Sequence, residues 1–85
     1  MSMQMRPETM ERIVSEFHTV FRNKGITPPE MGPETVLDGS LGLESLDFAE
    51  LVMRLEQVFG TDPFAQETIP EVRTLSDLCV LYQAA

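Results

Sequence analysis

Apolar residues recur at helical spacing in two long stretches of this chain, and this periodicity constrains the fold more than any other feature. Across residues 7–23 the apolar positions are Met10, Ile13, Val14, Phe17, Val20 and Phe21. Across residues 45–59 the larger of two apolar sets is Phe48, Leu51, Val52, Leu55, Val58 and Phe59. Spacings of three and four place each set on one face of a helix. Because each face must be buried against another element, the pattern predicts helices packed on one another.

Start and stop signals bound these two helices. Pro7 suits the first position of a helix, and Gly25 is a favoured residue just beyond a helix end. We predict the second helix from Ser45 to Phe59, with Gly60 as its stop. A long connection, residues 25–44, joins the two, and connections of this length are often functional. Its apolar residues are predicted to pin it to the core: Val36, Leu37, Leu41 and Leu43.

The rest of the chain predicts one further main helix and one short one. Thr74-Leu75-Ser76-Asp77 resembles a capping box, and an apolar helical face follows it through Tyr82. Asp62-Pro63 predicts the start of a short third helix that Pro70 bounds. No stretch predicts a strand. We therefore expect an all-α fold, a small antiparallel four-helix bundle of three main helices plus the short third one. A flexible tail, residues 1–6, would precede a single domain, residues 7–85.

Acidic residues are concentrated in the middle of the chain. The formal net charge is −8, yet residues 25–72 alone hold ten acids against one base, Arg54. Such a surface repels nucleic acid and anionic membranes, and it attracts proteins with basic surfaces. One cysteine rules out an internal disulfide. No apolar run is long enough for a membrane span, and residues 1–6 lack the apolar stretch of a signal peptide. We expect a cytoplasmic monomer.

Few residues of this chain are candidates for catalysis or metal binding. A calcium loop beginning at Asp38 would need Gly at its sixth position and Glu at its twelfth, where this chain has Leu43 and Ala49. The sole histidine, His18, is interpreted as a boundary residue and Cys79 as a buried thiol. The sequence therefore predicts no catalytic residue and no metal site.

The second helix carries another apolar stripe, formed by Leu46, Ala49 and Met53, which points away from its core face. Acidic residues border this stripe, with Asp47 and Glu50 on one side and Glu56 on the other. The simpler interpretation is that a short third helix covers the stripe, or that these are scattered exposed apolar residues. The alternative is a docking surface with an acidic rim.

Ser45 begins this helix. Free backbone N–H groups and the positive end of the helix dipole favour an anion there, so a phosphodiester on Ser45 would be stabilised. The competing interpretation is that Ser45 is only an N-cap. Against this, Phe48 stands where the acidic or amide residue of a capping box would be.

The stretch Leu41-Gly42-Leu43-Glu44-Ser45-Leu46-Asp47, continuing through residues 50–56 to Phe59-Gly60, strongly resembles the acyl carrier proteins. The resemblance implies a four-helix bundle. It also implies that a phosphopantetheinyl transferase (a holo-carrier synthase) attaches 4′-phosphopantetheine from coenzyme A to Ser45. The thiol of that arm would then hold acyl groups as thioesters.

The resemblance also implies partners. These are an acyl-loading ligase or transacylase, a ketosynthase and other pathway enzymes with basic surfaces, for fatty-acid, polyketide or related biosynthesis. By matching position, the apolar contacts would be Leu46, Ala49 and Met53. The acidic contacts would be Glu44, Asp47, Glu50 and Glu56. Glu44 replaces the family's usual Asp before the serine, and Thr61-Asp62-Pro63-Phe64 looks more like carriers of specialised pathways. Two alternatives stay open: an aminoacyl or peptidyl carrier, and an unmodified acidic adaptor that binds partners through the second helix.

Overall fold

The computed structural model describes residues 7–65 and 71–84, and this part of the chain contains three α-helices. Helix α1 spans Pro7–Asn23, α2 spans Ser45–Phe59 and α3 spans Leu75–Ala84. The predicted bounds of α2 are confirmed, and Gly60 ends it in the left-handed conformation that favours glycine. The predicted small all-α bundle is confirmed.

Helices α1 and α2 run antiparallel. Lys24, just beyond the end of α1, contacts Asp47 in the first turn of α2, whereas Glu16, midway along α1, contacts Arg54 further along α2. Residues later in α1 therefore contact residues earlier in α2. This arrangement brings the end of α1 beside the start of α2, where Ser45 lies.

The core forms where the apolar faces of the three helices meet. Its buried residues are Ile13, Phe17, Val20, Phe21, Leu43, Leu51, Leu55, Leu75, Leu78, Cys79 and Tyr82. Phe59 of α2 and Tyr82 of α3 lie with ring centroids 5.2 Å apart, a normal separation for an aromatic pair. The helical periodicity thus identified the inward faces correctly.

The connection between α1 and α2 is held at two places. Gly39–Leu41 forms one turn of 3-10 helix, capped by Asp38, whose carboxylate accepts the N–H of Ser40 at 2.8 Å. Further back, Leu37 donates its N–H to Arg73 O at 2.8 Å, next to an isolated bridge between Val36 and Thr74. These bonds fasten the loop to the segment that leads into α3.

One loop residue was assigned wrongly. Leu43 is buried and Leu37 and Leu41 pack against the core, as predicted, but half of Val36 is exposed. Neighbouring side chains of an extended segment point to opposite sides. Since Leu37 faces the core, Val36 faces outward.

Helix α3 begins with the predicted capping box. Asp77 accepts the N–H of Thr74 at 3.1 Å, and Thr74 Oγ1 accepts the N–H of Asp77 at 3.2 Å. The predicted short third helix falls mostly outside the described residues, since 66–70 are not among them. Before that gap the chain forms a turn, in which Ala65 donates its N–H to Asp62 O at 3.1 Å.

Candidate functional site

Ser45 is the first residue of α2, and the N-cap position belongs to Glu44. Asp47 supplies the reciprocal bond of a capping box by accepting the N–H of Glu44 at 2.8 Å. The interpretation of Ser45 as a plain N-cap is therefore wrong, and the cap lies one residue earlier than that interpretation assumed. Because capping is done by its neighbours, the hydroxyl of Ser45 is not needed for it.

The Ser45 side chain is exposed, and no described residue hydrogen-bonds to its hydroxyl. Around it, the first bonds of α2 run from the N–H groups of Asp47 and Phe48 to Glu44 O, at 3.0 and 3.1 Å. Within the described ranges, the N–H groups of Ser45 and Leu46 have no acceptor. An accessible hydroxyl thus sits beside two free donors at the positive end of a helix, which suits a covalently held anion.

On the side of α2 that faces α1, the acids have internal cationic partners. Lys24 Nζ lies 2.6 Å from Asp47 Oδ2, and only 16% of the Asp47 side chain is exposed. The hydrogen bond from Lys24, helped by the one from the Glu44 N–H, holds the pKa of Asp47 below its ordinary value. The same hydrogen bond raises the pKa of Lys24.

Arg54 neutralises the next acid on this side. Its Nε lies 2.9 Å from Glu50 Oε2, and its Nη1 lies 3.6 Å from Glu16 Oε1 on α1. Asn23 also donates to Glu50, at 3.4 Å. We call Asp47, Glu50 and Arg54 the α1 flank. Two of the four predicted docking acids therefore serve to hold α2 against α1.

On the opposite side of α2, the acidic residue has no cationic partner among the described residues. Ser45 and Glu56 are eleven residues apart, which places them about 20° from each other around the helix axis and about 16 Å apart along it. We call Ser45, Val52 and Glu56 the serine flank. Glu56 is exposed and has no ion pair among the residues described, and the sequence from 55 to 72 contains neither Lys nor Arg.

Glu56 and a second acid, Asp62, both act on the hydroxyl of Tyr82. Burial is the main cause that raises the pKa of the Tyr82 hydroxyl to about 12, and the negative charges of Asp62 and Glu56 add to it. Both carboxylates are therefore near the end of α3. Asp62 accepts the N–H of Phe64 at 3.0 Å, a bond that fixes the turn after α2.

Between the two flanks lies the predicted apolar stripe, which we call the docking strip: Leu46, Ala49 and Met53. Leu46 is 81% exposed and Met53 is 62% exposed, and Ala49 is also exposed. They are among the few large apolar side chains that remain in solvent. No described residue covers them, and most of the predicted short third helix lies outside the described residues. Their exposure agrees both with scattered exposed apolar residues and with a docking surface.

An apolar cavity of about 210 Å³ lies against the core face of α2. Helix α2 supplies four of the nine lining residues, Phe48, Leu51, Val52 and Leu55, and the other five are Phe17, Leu37, Phe64, Val72 and Leu78. Val52 belongs to both the serine flank and the cavity wall. The cavity can take a short aliphatic chain but has little to offer a polar ligand.

The remaining candidate residues have no role at this site. Cys79 is fully buried, and desolvation raises the pKa of its thiol to about 11, so it is a poor nucleophile. His18 is half-buried on α1, in agreement with its interpretation as a boundary residue. In the ranges 7–65 and 71–84 no group of acids, histidines or cysteines could hold a metal ion. No described helix could cross a membrane.

All the predicted site residues lie on or next to α2, and the structure separates them into the docking strip and two flanks. Sequence reasoning missed Lys24 and Asp62. Lys24 lies outside the acidic middle, and only the antiparallel pairing of α1 with α2 brings it to Asp47. Asp62 was interpreted only as a helix cap, although the absence of any base from 55 to 72 pointed to a strongly acidic patch.

Comparison with known families gives one match that spans most of the chain. Residues 14–80 match the family described as "Phosphopantetheine attachment site". The matched range includes the end of α1, the long connection, the whole of α2 and most of α3.

Two individual proteins are similar. An acyl carrier protein of Coprothermobacter proteolyticus is 30% identical over 69 residues, which cover 80% of this chain and 83% of that protein. A solution structure of MacpD, an acyl carrier protein from Pseudomonas fluorescens involved in mupirocin biosynthesis, is 33% identical with a TM-score of 0.74. That likeness covers 88% of this chain and 68% of MacpD.

Proposed function

Because this chain belongs to the acyl carrier protein family, whose members carry phosphopantetheine, we propose that Ser45 is the residue to which the group is attached. The protein is a carrier that holds acyl intermediates on a 4′-phosphopantetheine arm. The observation that supports Ser45 is its exposed hydroxyl at the first position of α2, beside two backbone N–H groups that have no acceptor among the described residues.

The residues around Ser45 fit a phosphodiester. The N–H groups of Ser45 and Leu46 can donate to its oxygens, and the helix dipole favours its charge. Glu44 and Asp47 carry like charge, but Asp47 is separated from Ser45 by about 160° around the helix axis and is paired with Lys24. When bound, the arm supplies a terminal thiol that forms thioesters.

No carboxylate, histidine or lysine of the described residues hydrogen-bonds to Ser45 Oγ. A serine hydroxyl needs a general base to become a good nucleophile. We propose that the phosphopantetheinyl transferase provides this base, and that the carrier has no catalytic activity of its own. Its contribution is to present the hydroxyl on a rigid, well-capped turn.

The apolar cavity against the core face of α2 is the proposed place for the first part of the acyl chain. Its lining is almost wholly apolar, and Val52 connects it to the side of α2 on which Ser45 lies. Its volume of about 210 Å³ suits a chain of a few carbons. Burial there would keep the chain from water between enzymes.

The partners we propose are those of a discrete carrier: the transferase, an acyl-loading ligase or transacylase, and a ketosynthase or related enzyme. The specialised role of MacpD favours a polyketide or similar pathway. The docking strip would provide the contacts, with acids at its rim that steer basic partners. We propose that the protein works in the cytoplasm as a monomer.

The experiment that tests this function uses an acyl-coenzyme A as the donor. Incubation with a broad-specificity transferase should add one acyl-phosphopantetheine group, and tandem mass spectrometry should map it to Ser45. Hydroxylamine, which cleaves thioesters, should then remove only the acyl part. An unmodified acidic adaptor would gain no mass, and a group on any other residue would contradict the assignment.

A further inference from the structure

Lys24 is the sole lysine of the chain, and its side chain lies where the end of α1 meets the start of α2. Its Nζ lies 2.6 Å from Asp47 Oδ2 and 3.4 Å from Gly42 O. In sequence, Ser45 stands between these two partners. One ammonium group therefore bridges the segment that leads into the serine and the helical turn that follows it.

The backbone that carries this side chain is itself well fixed. The N–H of Lys24 donates to Val20 O at 3.2 Å and to Phe21 O at 3.1 Å, and the N–H of Gly25 donates to Arg22 O at 2.9 Å. Val20 and Phe21 are fully buried in the core. Lys24 thus reaches the serine turn from a hydrogen-bonded turn anchored in the core.

The segment before Ser45 depends on such support. Gly42 has a φ of 89°, and a glycine gives the backbone more conformational freedom than any other residue. The buried side chain of Leu43 fixes one point of the segment. Lys24 fixes a second at Gly42 O, and it also holds the Asp47 carboxylate that accepts the N–H of Glu44 at 2.8 Å.

We propose that Lys24 is a positioning residue for the attachment of phosphopantetheine, which holds the turn around Ser45 in the shape that the transferase acts on. This inference rests on the proposed function and adds a residue of α1 to the site. Lys24 does not touch the reacting atoms and acts through Asp47 and Gly42. Since a hydroxyl ordered in advance reacts faster than one that must first be ordered, loss of Lys24 should slow the transfer step.

A role in stability alone would be shared by Arg54. That residue also joins α2 to α1, with its Nη1 3.6 Å from Glu16 Oε1, and its Nε lies 2.9 Å from Glu50 Oε2. Arg54 lies nine residues beyond Ser45, about 13 Å along the helix axis. Both cations connect the two helices, but the partners of Lys24 adjoin the serine and those of Arg54 do not.

The test compares Lys24→Met with Arg54→Met, which each remove one positive charge and one contact between α1 and α2. Phosphopantetheine transfer from coenzyme A is followed in single turnovers with a broad-specificity transferase in excess, which separates the maximal rate from the half-saturating transferase concentration. Lys24→Met should lower the maximal rate by about twofold to fivefold, a range set by the strength of a solvent-accessible ion pair. The half-saturating concentration should stay the same or fall, because the freed Asp47 remains available to a basic partner. Arg54→Met should leave the maximal rate unchanged.

Hydrogen exchange gives a second measurement on the carrier alone. The Glu44 amide should exchange faster in Lys24→Met than in the parent chain, and at the parent rate in Arg54→Met, because its acceptor Asp47 is held by Lys24. Circular dichroism melting sets an assay temperature at which both variants are folded. A role in stability alone would leave this amide and the maximal rate unchanged at that temperature.

An unchanged maximal rate in Lys24→Met, an unchanged exchange of Glu44, or an equal loss of rate in Arg54→Met would overturn the positioning role. A loss seen only as a higher half-saturating concentration would assign Lys24 to partner binding and would overturn it as well. In each of these cases the parent chain still gains phosphopantetheine. Failure of the parent chain to gain it contradicts the proposed function itself.

Discussion

A single carboxylate oxygen, Asp47 Oδ2, accepts hydrogen bonds from both Lys24 Nζ at 2.6 Å and the Glu44 N–H at 2.8 Å. Lys24 also reaches Gly42 O at 3.4 Å. The lysine thus contacts the chain on both sides of Ser45, three residues before it and two after. This ties the end of α1 to the turn that presents the serine.

Replacing Lys24 by Met should raise the pKa of Asp47 toward its ordinary value of 3.8, because the lysine hydrogen bond is the largest cause of the lowering. A lowered folded-state pKa means that the unfolded chain binds more protons as the pH falls. The stabilisation from Asp47 is therefore complete above about pH 4 and is lost as the pH falls through the folded-state pKa. Carboxyl carbon NMR titration measures the pKa directly.

Arg12→Met is the matched control for this change. Arg12 is exposed on α1 and has no ion pair among the residues described, so its loss should leave the Asp47 titration unchanged. The stability difference between the parent chain and Lys24→Met should also narrow at acid pH. An Asp47 pKa that is the same in the parent and in Lys24→Met would contradict the link.

Gly42 controls the shape of the same turn. Its φ of 89° lies in the left-handed region, so Gly42→Ala should cost about 1–2 kcal/mol of unfolding free energy even though a Cβ would meet no atom there. Gly32→Ala is the control, because Gly32 has no positive φ and equally open space. Urea unfolding should show a loss for the first variant and little change or a small gain for the second. Equal losses of unfolding free energy in the two variants would show that backbone strain at Gly42 does not explain the loss.

Substitutions in the docking strip should weaken partner binding while leaving the free energy of unfolding almost unchanged. Leu46→Ala and Met53→Ala should each change the free energy of unfolding by no more than about 0.5 kcal/mol, since both side chains are mostly in solvent. Leu55→Ala, in the buried face of the same helix, should cost about 2–5 kcal/mol. Both strip variants should weaken transferase binding. Unchanged affinity with a normal fold would exclude this surface as the docking site.

Cys79 should not react with thiol reagents in the folded protein. It is buried, and the pKa of its thiol is raised to about 11, so little thiolate is present or accessible at neutral pH. The unmodified protein should show no fast reaction with a thiol reagent until it is unfolded in urea. After loading with coenzyme A it should gain one fast-reacting thiol, which Ser45→Ala should lack. A fast thiol in the unloaded folded protein would contradict the burial.

Much of this architecture could be predicted from local patterns. Helical periodicity located the buried faces of α1 and α2, and the Thr74–Asp77 pattern located the start of α3, because these signals depend only on near neighbours. Val36 was misassigned because its direction depends on which residues of an extended loop pair with the segment before α3.

The site was predicted in part for the same reason. Ser45 and the docking strip follow from the geometry of one helix. The division of the acids into paired and free ones does not, because it requires Lys24 from the end of α1 and the position of Asp62 relative to α3. Glu44 as the cap also escaped prediction, since either it or Ser45 could begin the helix by sequence alone.

The most direct test of the central claim is the intact mass of the protein after incubation with coenzyme A and a broad-specificity transferase. Ser40→Ala is the matched control, since Ser40 is an exposed serine in the connection that leads into α2, five residues before Ser45. The parent chain and Ser40→Ala should each gain the mass of one 4′-phosphopantetheine group, and Ser45→Ala should gain none. Absence of the gain in the parent, or its persistence in Ser45→Ala, would contradict the account.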